Sequence, residues 1–112
     1  MNTSKAGKFY EMAVCEYLTS NGVKIIKQNF SCKMGEIDII GIQEEVLIFF
    51  EVKYRKSDFY GNALEAVNVQ KQKRIINSAN FFLLNYKWDG FIRFDVIGIT
   101  GDNLNWIKNA FC

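Results

Sequence analysis

The strongest constraint on the fold is a pair of apolar runs joined by a very short polar connection. The runs EIDIIGI and VLIFFEVKYR are separated only by residues 43–45. Runs rich in Ile, Val and Phe are typical of β-strands, and so short a connection favours an antiparallel hairpin. The hairpin also carries charged residues among apolar ones, and charges are costly to bury without partners.

These charges can meet in space. If the turn centres on the two glutamates of the connection, Asp38 lies opposite Glu51, and Glu36 lies opposite Lys53. Because side chains alternate along a strand, Glu51 and Lys53 share one face and can meet Asp38. Facing carboxylates repel unless a cation lies between them, and oxygen ligands suit Mg²⁺ or Mn²⁺ better than zinc or copper. The pattern predicts a metal site in which Lys53 orients the attacking water or stabilises phosphate charge.

Two structural interpretations remain open at this point. The same three residues also fit an ordinary ionic cluster on a solvent-facing sheet surface. Lys53 also fits a cross-strand ion pair with Glu36.

Composition removes several other chemistries. The chain has no histidine, which excludes histidine-dependent triads, bases and metal ligands. Its three cysteines form no CxxC pair, which fits a reducing compartment better than a disulfide framework. No segment approaches the roughly 20 apolar residues of a membrane span, and no signal-peptide pattern is present. We expect a cytoplasmic protein with no membrane partner.

The rest of the chain predicts a mixed α/β domain covering residues 1–112. Apolar residues at helical spacing predict a first helix over residues 5–20 and a second from Val69 to about Tyr86, with Asn68 as its N-cap. Further strands are predicted over residues 23–32 and 91–100, and residues 104–111 fit a short edge strand or a tail. The predicted order is α, β, β, β, α, β, with a further β open.

Basic residues gather after the hairpin. Six lie between Lys53 and Arg74, against two acidic residues. Some fall in the first turns of the second helix, where the helix dipole disfavours positive charge, and a nearby phosphate would reverse that penalty. A solvated helix face and a basic loop explain the same pattern.

Five blocks of the sequence resemble a known family. Asp38 followed by Glu51-Val52-Lys53 resembles the D…(D/E)xK signature of the restriction-endonuclease-like nuclease superfamily. More closely, GEIDII, FFEVKYRKS, GNALEAV, QKQKRI and RFDVI resemble, in order, the YraN-like family of small bacterial proteins. The resemblance implies a three-layer αβββαβ core with a mixed central sheet flanked by helices, similar to archaeal Holliday-junction resolvases.

The resemblance also implies roles for residues. Asp38 and Glu51 match metal ligands, and Lys53 matches the lysine that assists the attacking water. Glu11, which otherwise reads as a surface charge at the margin of the first helix, matches a glutamate that completes the acidic cluster. Candidate contacts to nucleic acid are Arg55, Lys56, Gln70, Lys71 and Arg74.

The expected function is Mg²⁺- or Mn²⁺-dependent endonucleolytic hydrolysis of DNA, duplex or branched, in repair or recombination. The alternative is a module on the same fold that binds nucleic acid or a protein partner without catalysis. The sequence leaves a homodimer open.

Overall fold

The computed structural model describes residues 5–55 and 67–111. Each predicted helix and strand is present. The α1 helix spans the same residues as predicted, α2 ends about three residues earlier, and the open C-terminal segment is a full edge strand. The elements are α1 (Lys5–Ser20), β1 (Lys24–Cys32), β2 (Gly35–Gln43), β3 (Val46–Arg55), α2 (Val69–Leu83), β4 (Phe91–Thr100) and β5 (Asn103–Phe111).

The strands form one mixed sheet in the order β1-β2-β3-β4-β5. Neighbouring strands are antiparallel, except that β3 and β4 are parallel. A parallel pair requires a crossover connection, and α2 lies in that connection. The central position of β3 gives it a neighbour on each side.

The two helices cover opposite faces of the sheet. Along β3, alternate residues enter two separate apolar clusters because strand side chains alternate between faces. Ile48 and Phe50 pack with Val14 and Leu18 of α1, whereas Leu47 and Phe49 pack with Ile75 and Ala79 of α2. This arrangement confirms the predicted three-layer architecture.

The β2–β3 hairpin has the predicted turn and register. Glu44 and Glu45 both have positive φ, at 47° and 68°, as a two-residue hairpin turn of the type I′ class requires. Pairing runs from Gln43–Val46 to Ile39–Phe50 and stops there. The predicted pairs Asp38–Glu51 and Glu36–Lys53 lie just beyond the end of this ladder, so backbone pairing does not hold these four residues.

A buried aspartate attaches β5 to β4. Asp95 is 0% exposed and accepts four hydrogen bonds. Arg93 donates through Nε at 2.9 Å and Nη2 at 3.0 Å, Trp106 through Nε1 at 2.8 Å, and Asn109 through its backbone N–H at 2.9 Å. The β4–β5 pairing is irregular between Phe94 and Val96, so the Asp95 carboxylate bonds to β5 where the ladder is interrupted.

Within residues 5–55 and 67–111, neither helix combines the length and apolarity needed to cross a bilayer.

We expect Asp95→Asn to lower the free energy of unfolding by about 3–5 kcal/mol, because it leaves Arg93 without a charged partner and turns an amide N–H₂ toward donors. Urea denaturation of the variant measures this loss. Asp102→Asn makes the same chemical change at an exposed turn residue and should alter stability by less than about 0.5 kcal/mol. Equal effects for the two variants would show that the Asp95 network contributes little.

Candidate active site

The strand β2 changes its alternation at Asp38. Ile37 and Ile40 enter the apolar cluster on the α2 side, whereas Ile39 enters the cluster on the α1 side. Regular alternation would place Ile37 and Ile39 on the same face. In the adjacent strand, Asn29 has a φ of 53°, and the β1–β2 pairing passes over Asn29 and Asp38. Asp38 therefore lies at a local break in the regular strand.

This break directs the Asp38 carboxylate toward β3. The backbone N–H of Val52 donates to Asp38 Oδ2 at 2.7 Å. That contact lies directly after the last backbone pair, Ile39–Phe50. In a continued ladder, the Val52 N–H would donate to a backbone carbonyl of β2. Here it donates to the Asp38 carboxylate, which lies next to Glu51.

Glu51 is buried on the α2 side of the sheet. Its side chain is 4% exposed, and two ammonium groups approach the same oxygen: Lys71 Nζ lies 3.0 Å and Lys53 Nζ 3.8 Å from Oε2. Both contacts are ion pairs, and neither is a hydrogen bond to Oε2. Among the described residues, Glu51 Oε2 therefore has no hydrogen-bond donor. Burial at this level excludes the interpretation of an ordinary solvent-facing cluster.

The two carboxyl groups influence each other strongly. Burial, together with the hydrogen bond and the negative charge of Glu51, raises the pKa of Asp38 to about 8. The Val52 N–H acts in the opposite direction, and the charge of Glu36 adds a smaller upward effect. At neutral pH Asp38 is therefore mostly protonated. Ionising both groups together requires additional positive charge at the pair.

This donor set fits a hard divalent cation. Mg²⁺ is commonly held by one or two carboxylates while it retains several waters, and Asp38 and Glu51 supply two. The buried Glu51 Oε2 is an acceptor that has no donor within the described part of the chain. A cation at the pair would satisfy that oxygen and replace the proton on Asp38.

The described residues contain no third acidic ligand at this pair. In residues 5–55 and 67–111, no group of three His, Cys, Asp or Glu side chains is arranged to hold a metal ion. Glu11 is half-buried on α1. Burial of the Cys15 thiol is the main cause that raises its pKa, and the negative charge of Glu11 raises it further. The structure brings together Asp38, Glu51 and Lys53 but does not add Glu11, whose role as a metal ligand stays a prediction.

The alternative ion pair between Lys53 and Glu36 does not form. Lys53 pairs with Glu51, and Glu36 Oε2 instead accepts a hydrogen bond from the Ser31 hydroxyl at 3.1 Å. Among the described side chains, Glu36 has no ion-pair partner. Lys53 therefore belongs to the acidic pair.

The candidate contacts to nucleic acid have different positions. Lys71 reaches Glu51, while Gln70 and Arg74 are exposed on the first turns of α2. The side chain of Arg55, at the end of β3, and the whole of Lys56 lie outside the described residues. Contact of any of these residues with DNA stays a prediction.

The position of Lys71 depends on the cap of α2. Asn68 has an extended backbone conformation, and its Oδ1 accepts a hydrogen bond from the Lys71 backbone N–H at 2.8 Å. The predicted N-cap is thereby confirmed. Sequence reasoning identified Lys71 as a contact to phosphate or to the site from the second helix. It did not identify Glu51 as the partner, because helix periodicity carries no information about which strand residue lies opposite.

A tyrosine pair on the α1 face of the sheet was also missed. The Tyr10 hydroxyl donates to the Tyr54 hydroxyl at 3.2 Å, and the two rings stack with centroids 4.2 Å apart. Strand alternation places Tyr54 on the α1 face of β3, opposite the face of Glu51 and Lys53, so the pair attaches α1 to the end of β3. The hydrogen bond to Tyr54 is the main cause that raises the pKa of Tyr10. No local sequence pattern links residues so far apart.

Comparisons with known proteins give one family. The description "Uncharacterised protein family UPF0102" matches residues 10–99. A UPF0102 protein of Fusobacterium nucleatum subsp. nucleatum is 42% identical over 97% of this chain and 92% of its own length. A UPF0102 protein of Stutzerimonas stutzeri is 36% identical over 97% of this chain and 96% of its own length.

One solved structure is similar at greater distance. It is described as a repair endonuclease from Pyrococcus abyssi and matches 89% of this chain with a TM-score of 0.48 and 19% identity. The match covers 39% of that protein, so this chain spans well under half of its length. A similarity at this level supports no conclusion about activity.

The raised pKa of Asp38 gives stability a defined pH dependence. Because the folded-state pKa of about 8 lies above the usual 3.8, the folded protein holds more protons than the unfolded chain between these values. The contribution of Asp38 to the free energy of unfolding is therefore complete at low pH and is lost as the pH rises through the folded-state pKa.

We expect Asp38→Asn, which cannot ionise, to gain stability relative to the parent protein as pH rises from about 5 to about 8 in EDTA. Thermal unfolding across this range measures the gain. Asp89→Asn changes an exposed aspartate and should show no such trend. A constant difference between Asp38→Asn and the parent protein at every pH would contradict the assignment.

Proposed function

We propose a function for this chain, which belongs to the uncharacterised protein family UPF0102, from the chemistry of its buried acid pair: divalent-metal-dependent hydrolysis of DNA phosphodiester bonds. This membership confirms the family resemblance drawn from the five sequence blocks. The observation that carries the proposal is a buried carboxylate oxygen, Glu51 Oε2, with two lysines beside it and no hydrogen-bond donor among the described residues.

Asp38 and Glu51 would hold the cation, Mg²⁺ or Mn²⁺. When bound, such a cation polarises a phosphoryl oxygen and lowers the pKa of water, which together make hydrolysis possible without histidine. The Val52 N–H keeps Asp38 Oδ2 oriented at 2.7 Å, which leaves the other carboxylate oxygen as a ligand. Cation binding would require little rearrangement of the protein, because the two carboxyl groups already lie beside each other.

Lys53 supplies fixed positive charge at the reacting centre. It lies on the same face of β3 as Glu51, and its ammonium is 3.8 Å from Glu51 Oε2 and 30% exposed. From this position it orients the attacking water or stabilises charge that builds on the phosphate. Because Lys53 lies on the same strand as Glu51, it is positioned at the reacting centre without movement of a helix.

The charge distribution supports a polyanionic substrate. Lys71 and Lys73 lie in the first turns of α2, a position that the helix dipole makes unfavourable for cations but that suits a nearby phosphate. Arg74 is exposed on the next position of the same helix. We propose DNA as the substrate, including branched or damaged forms that arise in repair and recombination.

A non-catalytic module that binds nucleic acid or a protein is the second candidate. The observation that favours it is that no third acidic side chain joins Asp38 and Glu51 within the described part of the chain. The two candidates differ in whether phosphodiester bonds are broken.

We expect the protein to nick duplex, flap or four-way-junction DNA with Mg²⁺ or Mn²⁺ and not with EDTA, leaving 5′-phosphate ends. Glu51→Gln should reduce cleavage to background, because it removes a charged ligand, and Lys53→Met should reduce the rate by about 10²–10⁴-fold. Gel assays on labelled substrates measure both effects.

Matched controls remove the same charges elsewhere. Glu44→Gln lies in the exposed hairpin turn, and Lys27→Met lies on the exposed side of β1, so both should cleave at the parent rate. DNA binding in Ca²⁺ without cleavage in any metal would support the module. Cleavage that survives Glu51→Gln would show that the acid pair is not the catalytic centre.

A further inference from the structure

Lys71 makes the closest charged contact with the buried acid pair. Its Nζ lies 3.0 Å from Glu51 Oε2, compared with 3.8 Å for Lys53. The position is electrostatically costly for a lysine, because Lys71 lies at the N-terminal end of α2, where the helix dipole disfavours positive charge. The contact with Glu51 offsets that cost.

We propose that Lys71 is a displaceable counter-ion, which competes with the divalent cation for Glu51 Oε2 and is released to a DNA phosphate when the cation binds. The inference rests on the proposed function, because it assigns metal and DNA to this same site. It makes Lys71 a positioning and regulatory residue rather than a ligand.

The competition follows from charge and space. Glu51 Oε2 is the oxygen that the Lys71 ammonium already approaches, and a divalent cation bound there would repel an ammonium at about the same distance. Glu51 is 4% exposed, so water screens this repulsion less than at the surface. One of the two positive charges must therefore leave the oxygen.

Lys71 is built to be the charge that moves. Its backbone is held by the Asn68 cap, but its side chain is 38% exposed and ends a flexible four-carbon chain. The ammonium can therefore turn toward solvent while the helix stays in place. Lys53 differs, because it lies within β3, where its backbone is paired with Gly98 of β4.

A released Lys71 ammonium needs a new anion. A DNA phosphate at the N-terminal end of α2 would provide one and would also gain from the helix dipole. Cation binding should then favour DNA binding, and by thermodynamic linkage DNA should favour cation binding by the same factor. The cation would bind weakly to the free protein and more tightly to its complex with DNA.

Mn²⁺ titration calorimetry of the protein without DNA tests the competition. We expect Lys71→Met to bind Mn²⁺ on the order of tenfold more tightly than the parent protein. Lys87→Met removes the same charge from an exposed position beyond the C-terminal end of α2 and should leave the affinity unchanged. Lys71→Arg keeps the charge and should retain the weak affinity of the parent protein.

Repeating the titration with a short duplex DNA bound tests the coupling. DNA should tighten Mn²⁺ binding to the parent protein and to Lys87→Met, and should have a smaller effect on Lys71→Met. Thermal unfolding confirms that each variant is folded, and the Lys71→Arg result separates lost charge from altered packing. None of these readouts depends on cleavage.

The outcomes separate this inference from the proposed function. Tighter Mn²⁺ binding by Lys71→Met without any DNA cleavage by the parent protein would support the counter-ion and refute the nuclease. Mn²⁺-dependent cleavage by the parent protein, with equal Mn²⁺ affinities for Lys71→Met and Lys87→Met, would support the nuclease and overturn the counter-ion. Failure of every variant to bind Mn²⁺ would overturn both.

Discussion

The repulsion between two buried carboxyl groups sets the requirements for the rest of the site. Asp38 and Glu51 lie where β2 and β3 separate, and their proximity together with burial raises the pKa of Asp38 to about 8. Such a pair needs a proton, an ammonium or a metal ion to be stable. The two lysines place ammonium groups beside Glu51. The backbone ladder ends at this point, so the Val52 N–H is available to donate to Asp38.

A second buried acid in the same sheet, Asp95, is satisfied entirely by protein donors. Asp95 also lies at an irregularity between strands, but four donors surround it and Arg93 neutralises it. It has no capacity left for a ligand. Glu51 retains an oxygen without a donor in the described part of the chain, and that difference separates a structural acid from a candidate catalytic one.

Most of the fold was predictable because it depends on local patterns. Periodicity gave the helices and strands, and the short connection at Glu44 and Glu45 gave the hairpin register. The sequence could not show that Asp38 leaves the regular alternation, because the break coincides with an interruption in the pairing with β1, at Asn29, that no local pattern reveals. It also could not show that Lys71 meets Glu51, since that contact arises only when α2 packs on the sheet. Asp95 carried a weak signal, a charge inside an apolar strand.

The pairing of β3 is complete on one side and partial on the other. It continues with β4 to Arg55 but stops with β2 at Phe50. Among the described residues, the site is therefore an edge inside the sheet, where the central strand β3 presents backbone groups along one side. An exposed edge invites pairing with another extended chain. Here the Asp38 carboxylate takes the first position on that side and the Lys53 ammonium lies next to it, so charge at this edge disfavours pairing with a neutral β-strand.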